Sequence, residues 1–87
     1  MNDLTKALAD LHRSLDGATL VPQAACVDGL LDCYNAASSE LVRHLVADLL
    51  SEIRHLSAVR ATALRARLNE VSAALAVELA FSQACSA

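Results

Sequence analysis

Glycine and proline are scarce in this sequence, and neither occurs in the 58 of 87 positions that follow Gly29. These two residues usually mark the ends of helices and strands, because glycine tolerates positive φ and proline lacks an amide hydrogen. The long remainder is rich in residues that favour helix. One helix of that length would span about 87 Å at 1.5 Å per residue. The chain must therefore fold back on itself or pair with a partner.

Aromatic residues are also rare, since Tyr34 and Phe81 are the only two and tryptophan is absent. The core must be built from leucine, valine, isoleucine, alanine and cysteine, which favours extended contacts between helices. The length predicts one helical domain over positions 1–87. A domain of this size buries only about 60% of its unfolded surface, so we expect additional stability from a homodimer.

Long uncharged apolar stretches are missing as well, and no segment is suited to cross a membrane. The first residues lack the basic start of a signal peptide. Cys26 and Cys33 would lie about 10 Å apart on one helix, beyond the reach of a disulfide. We predict that both are free core residues, whereas the role of Cys85 stays open. Together these features predict a soluble, cytoplasmic protein without a membrane partner.

The spacing of four leucines predicts the buried face of a first helix: Leu4, Leu8, Leu11 and Leu15. Gly17 can end this helix in a left-handed conformation. A second helix is expected over about 22–35, with Pro22 in its first turn and Thr19 as a candidate cap. Its apolar side is predicted to carry Cys26, Val27, Leu30, Leu31, Cys33 and Tyr34. Polar residues and a shift of apolar phase indicate a break at 35–39.

A third helix is predicted over about 39–56, where large aliphatic residues fill half of the helical wheel: Leu41, Val42, Leu45, Val46, Leu49, Leu50, Ile53 and Leu56. A narrower apolar line follows, which we assign either to the core or to self-association: Leu64, Leu68, Val71, Leu75 and Leu79. The change of phase favours a turn at 57–59, whereas the lack of helix-breaking residues favours one helix of about 45 residues. We find no internal repeat. The expected fold is all-α, a small antiparallel bundle of three or four helices that forms a dimer.

Charge is unevenly distributed, although the net charge is only −3. Acidic residues dominate positions 1–40, whereas positions 41–67 contain five arginines that are candidate contacts for a partner protein: Arg43, Arg54, Arg60, Arg65 and Arg67. The basic part can also dock on the acidic part of the same chain. On one continuous helix, three of these arginines would form a straight basic line suited to phosphates.

Few side chains are arranged in a way that indicates a metal-binding or catalytic site. Glu40, His44, Asp48 and Glu52 line one side of the third helix, and Glu52 and His55 have the Glu-x-x-His spacing of di-iron bundles. Such a site needs a second motif and a buried location, so an exposed face with paired charges is the simpler interpretation. No nucleophile–histidine–acid set or glycine-rich phosphate loop is present. The sequence predicts no enzyme activity and no cofactor.

These observations predict a non-enzymatic protein-interaction module, such as a small bacterial regulator, antiactivator or adaptor. A dimeric nucleic-acid-associated regulator is the alternative, although negative net charge and the lack of stacking aromatics disfavour it. A metal-binding helical bundle is a third hypothesis. The sequence does not identify the partner protein.

Overall fold

A computed structural model describes the backbone of residues 3–86 and the side chains of residues 3–81. Four helices and two short strands follow one another in this order: α1 (Asp3–Leu15), β1 (Leu20–Pro22), α2 (Gln23–Ala36), α3 (Glu40–Ile53), β2 (Ala58–Arg60) and α4 (Ala61–Ser86). The expected helical architecture is confirmed, and the break between α3 and α4 excludes one continuous helix over positions 39–83.

The first helix ends as the sequence predicts. Its four leucines are buried, and Gly17 has a φ of 76°, a left-handed conformation that costs glycine little. The amide of Ala18 donates a hydrogen bond to the carbonyl oxygen of Leu15 at 3.2 Å, which satisfies one of the terminal carbonyls of α1. The chain therefore reverses directly into β1.

The two strands form a small antiparallel sheet that the sequence analysis did not predict. Val21 pairs with Val59 at its centre, and both side chains are buried. The amide of Ala61 also donates to the carbonyl oxygen of Thr19 at 3.1 Å. Thr19 thus extends the sheet contact instead of capping α2, and Pro22 is the last strand residue instead of the first helical one. A strand of only three residues is too short to be recognised in a sequence from the alternation of apolar and polar residues.

The structure contains an internal repeat, so the expectation of none is wrong. The two helices and the strand of residues 3–36, the first half, recur 38 positions later in residues 41–74, the second half. Val21 and Val59, for example, occupy equivalent positions in the two strands. Buried positions recur with the same shift, as Leu30 and Leu68 show. Most of the paired residues differ, although the two halves share the same pattern of burial. The antiparallel pairing of β1 with β2 joins the two halves.

The buried residues form one cluster, to which all four helices and both strands contribute. Cys26 and Cys33 belong to it as free thiols, as predicted, and Cys85 lies outside the described side chains. The second helix has a narrower buried face than predicted, because Leu31 and Tyr34 are each 37% exposed. The third helix ends at Ile53, so that Leu56 lies in the following loop, exposed like Leu41 at the opposite end of α3.

Two polar side chains hold the helices in register. Gln23, at the start of α2, donates from Nε2 to the carbonyl oxygens of Ile53 (3.1 Å) and Arg54 (2.8 Å) at the end of α3. The Ile53 oxygen also accepts from the amide of Leu56 at 3.0 Å. Ser39 caps α3 by accepting from the amide of Val42 at 3.4 Å, and its hydroxyl donates to Glu78 at 2.6 Å. The second contact fixes the start of α3 beside α4 near position 78.

Candidate interaction surfaces

An apolar groove lies between α3 and α4 at the end nearest the sheet. It has a volume of about 430 Å³ and is lined mainly by aliphatic side chains, among them Leu49, Ile53, Leu56, Val59, Ala63 and Leu64. Glu52, Arg60 and Arg67 also line it and provide its charge. We call this cleft, defined by these nine residues, the α3–α4 groove. It is open to solvent, since Leu56 is 47% exposed.

The internal repeat relates this groove to a cleft between α1 and α2, and the two differ in how closely their helices approach. In the first half, Gly29 of α2 packs against Leu11 of α1 so closely that a Cβ atom would lie 2.7 Å from Leu11 Cδ1. The equivalent residues in the second half are Arg67 and Leu49, 38 positions further along. A side chain as long as arginine cannot occupy that contact, so it lies at the surface and α4 cannot approach α3 as closely. Aligning the two halves would have revealed this difference in the sequence.

The equivalent cleft between α1 and α2 has a different chemical character. Its volume is about 360 Å³, and its lining includes the charged residues Asp3, Lys6, Asp10 and Asp32. The two halves therefore present one acidic cleft and one apolar groove edged by arginines. The uneven charge of the sequence thus corresponds to two surfaces of the fold.

A third surface lies between α2 and α3, where one predicted arginine contacts the partly exposed Tyr34 ring and another lines the same hollow. Leu31, Tyr34 and Arg54 line a hollow of about 260 Å³ whose floor includes the buried Leu50. Arg54 is exposed, and its side chain has no ion pair within residues 3–81. Arg43 stands 5.8 Å from the centre of the Tyr34 ring and donates from Nε to the carbonyl oxygen of Ala37 at 2.9 Å. We call Leu31, Tyr34, Arg43 and Arg54 the α2–α3 surface.

The five predicted arginines thus divide among three places. Arg43 and Arg54 belong to the α2–α3 surface, and Arg60 and Arg67 belong to the α3–α4 groove. Arg65 lies elsewhere and pairs with Asp16 at 3.3 Å, which joins the two halves. Arg67 pairs with Glu52 at 3.3 Å and Glu70 at 3.5 Å. The straight basic line needs a continuous helix, so it does not form.

The leucine line of α4 is divided between the core and the surface. Leu64, Leu68 and Val71 are buried, and Leu75 is half-buried against the same core. Leu79 is 44% exposed and lines a shallow groove of about 390 Å³ between α1 and α4. This line therefore serves mainly the core.

No metal-binding cluster of three or more suitable side chains occurs in the described part of the chain. Four polar residues along α3 are all exposed: Glu40, His44, Asp48 and Glu52. Glu52 already forms an ion pair with Arg67. A helix–loop–helix unit can hold Ca²⁺ when its loop supplies several oxygen ligands. Asp16 is the only carboxylate between α1 and β1, and the loop between α3 and β2 contains none. Neither loop therefore has enough carboxylate ligands to bind a calcium ion.

The buried thiols are not activated. Burial raises the pKa of Cys26, and burial together with the neighbouring Asp32 charge raises the pKa of Cys33 to about 11. The thiolate is the reactive form of cysteine, so both residues are protonated at neutral pH and act as small apolar core residues.

Among the described residues, none of the helices is long and apolar enough to span a membrane. Comparisons with protein-family models, with curated proteins and with solved structures find no match. The α2–α3 surface and the α3–α4 groove are therefore the features from which we infer a function.

Proposed function

We propose that this chain is a non-enzymatic protein-interaction module, a small bacterial regulator, antiactivator or adaptor that acts in the cytoplasm as a homodimer. The α2–α3 surface carries the proposal. Tyrosine and arginine are the residues most enriched among those that dominate protein–protein binding energies. Here Tyr34 is partly exposed beside Leu31, and Arg54 offers a charge that no described acidic residue neutralises.

The chemistry of this surface suggests the type of partner. A partner side chain can fill the hollow above Leu50, while an acidic group pairs with Arg54. Arg43 is already held by Tyr34 and Ala37, so it orients the ring more than it offers a free charge. Arg54 is therefore the residue whose reversal of charge should weaken binding most.

The experiment compares proteins captured by three immobilised chains: the unaltered chain, Arg54→Glu and Arg13→Glu. The two variants change the net charge equally, and the control residue Arg13 is an exposed arginine on α1 outside the α2–α3 surface. We expect a partner that is retained by the unaltered chain and by Arg13→Glu, and whose affinity for Arg54→Glu is at least about tenfold lower. Circular dichroism should be the same for all three. Capture that does not distinguish Arg54→Glu from Arg13→Glu would rule out this surface.

A further inference from the structure

The chain exposes more surface than a compact monomer of its mass. Its accessible surface is 5525 Å². The usual scaling predicts about 4,900 Å² for 9.2 kDa. The structure measures 46 × 24 × 18 Å along its principal axes, so the excess of about 600 Å² reflects an elongated shape. Much of the elongation comes from α4, which continues past Ala74, where the repeat ends.

Two of the three exposed large apolar residues described on α4, Val77 and Phe81, face the same side as the α3–α4 groove. Phe81 is 71% exposed, and Ala63 of the groove precedes it by 18 residues. Eighteen residues make five helical turns, so the two residues lie on one side of α4 about 27 Å apart. Between them, Arg67, Glu70, Ala74 and Val77 continue the spacing of four and three that two packed helices use.

Two exposed leucines, one near the start of α3 and one in the loop after it, lie at the two ends of this side of the molecule. Leu41 is 52% exposed near the start of α3, where the hydrogen bond from Ser39 to Glu78 joins α3 to α4 three residues before Phe81. Leu56 is exposed at the other end, beside Ala63 in the α3–α4 groove. One end of the surface thus has a protruding aromatic ring, and the other end has an open apolar groove.

Such a surface is self-complementary when two copies run in opposite directions. A two-fold axis near position 72 would place Phe81 of each copy at the groove beside Ala63 of the other. This satisfies the requirement that an isologous interface use the same patch on both copies. A parallel pair would instead oppose the two Glu70 carboxylates and place Phe81 against Phe81, leaving both grooves empty.

We propose that a second copy of this chain occupies the α3–α4 groove, with the two α4 helices antiparallel and each Phe81 ring seated beside Leu56 and Ala63 of the other copy. This inference rests on the homodimer of the proposed function and assigns its interface. The α2–α3 surface takes no part in the pairing and stays available to a different protein.

Disulfide cross-linking tests the arrangement directly. With the axis near position 72, residue 67 of one copy faces residue 77 of the other. Within one chain these positions are ten residues, or about 15 Å, apart, which is beyond disulfide reach. The chain Arg67→Cys/Val77→Cys, with Cys85→Ser to remove a competing thiol, should therefore form a covalent dimer under mild oxidation. Cys26 and Cys33 are buried and do not compete.

The single-cysteine chains are the matched controls. Two copies of residue 67, or two of residue 77, would also lie about 15 Å apart in the antiparallel dimer, so neither single variant should cross-link. A parallel pair would instead cross-link through each single cysteine. Cross-linking by the single variants, or its absence in the double variant, overturns the proposed interface.

A second measurement does not depend on introduced cysteines. Phe81→Ala should weaken the dimer at least about tenfold in sedimentation equilibrium, because this ring is the main side chain inserted in the groove. Leu79→Ala, on another side of α4, should change the dissociation constant less than about twofold. Equal effects of the two variants would contradict the assignment. A dimer insensitive to Phe81 would refute this interface alone, whereas loss of Arg54-dependent capture would refute only the proposed partner surface.

Discussion

Replacing leucines along α4 tests where the core ends. Leu68 is fully buried, and its repeat equivalent Leu30 in α2 is also fully buried. Leu79 is on the same helix but 44% exposed. The substitutions Leu68→Ala, Leu30→Ala and Leu79→Ala remove the same atoms from three environments, so differences in stability report burial.

The expected magnitudes follow from these environments. Truncating a fully buried leucine loses its transfer free energy and leaves a cavity, at a cost of about 3 kcal/mol. A chain of 87 residues has a total stability of roughly 4 to 13 kcal/mol. Leu68→Ala and Leu30→Ala should therefore each remove a large fraction of it. Leu79→Ala should cost about 1 kcal/mol, because half of the side chain already contacts water and no closed cavity forms.

Urea unfolding followed by circular dichroism at 222 nm measures these differences. All chains must be compared at one protein concentration, because the stability of a dimer depends on it. Two results would refute the reasoning: equal losses for Leu68→Ala and Leu79→Ala, or a loss for Leu30→Ala that is much smaller than for Leu68→Ala. The first would contradict the described end of the core, and the second would contradict the equivalence of the two halves.

Three further predictions concern the contacts that join the helices and the buried thiol. Ser39→Ala should lower the free energy of unfolding by about 1 kcal/mol, since it removes the cap of α3 and the hydrogen bond to Glu78; a loss below about 0.3 kcal/mol in urea unfolding would argue against both contacts. Gln23→Ala should also cost about 1 kcal/mol, because the Arg54 carbonyl oxygen loses the donor that Gln23 supplies and the Ile53 carbonyl oxygen keeps only the amide of Leu56; an unchanged urea midpoint would contradict this role. Because the pKa of Cys33 is raised to about 11 from 9.0, the folded chain retains a proton that the unfolded chain loses, and stability should fall between pH 9 and 11. Urea midpoints at pH 8 and 10 should show a smaller fall for Cys33→Ala, and equal falls would contradict the burial of the thiol.

Helices were the predictable part of this fold. Leucine spacing and Gly17 define α1, and the polar residues after Asn35 mark the break before α3. The turn between α3 and α4 was uncertain because its residues include no glycine or proline. The sheet was missed because it depends on two segments meeting across 38 positions, at Val21 and Val59.

The interaction surfaces were less accessible to sequence reasoning. The arginines were identified as a group, but their division among three places depends on how the helices fold back. The two clefts differ at Gly29 and its equivalent Arg67, and this difference has meaning only once the halves are aligned. Burial patterns recur in the two halves although most of the paired residues differ, so sequence identity between the halves gave little signal.

We propose that this chain acts by binding other proteins and that its first partner is a second copy of itself. The most direct test is the molar mass of the unaltered chain, measured by sedimentation equilibrium over a range of concentrations. We predict a mass that rises to twice the 9.2 kDa of one chain and remains there as concentration increases. A constant mass of 9.2 kDa up to millimolar concentration would contradict the dimer, and a mass that continues to rise would contradict its closed two-fold symmetry.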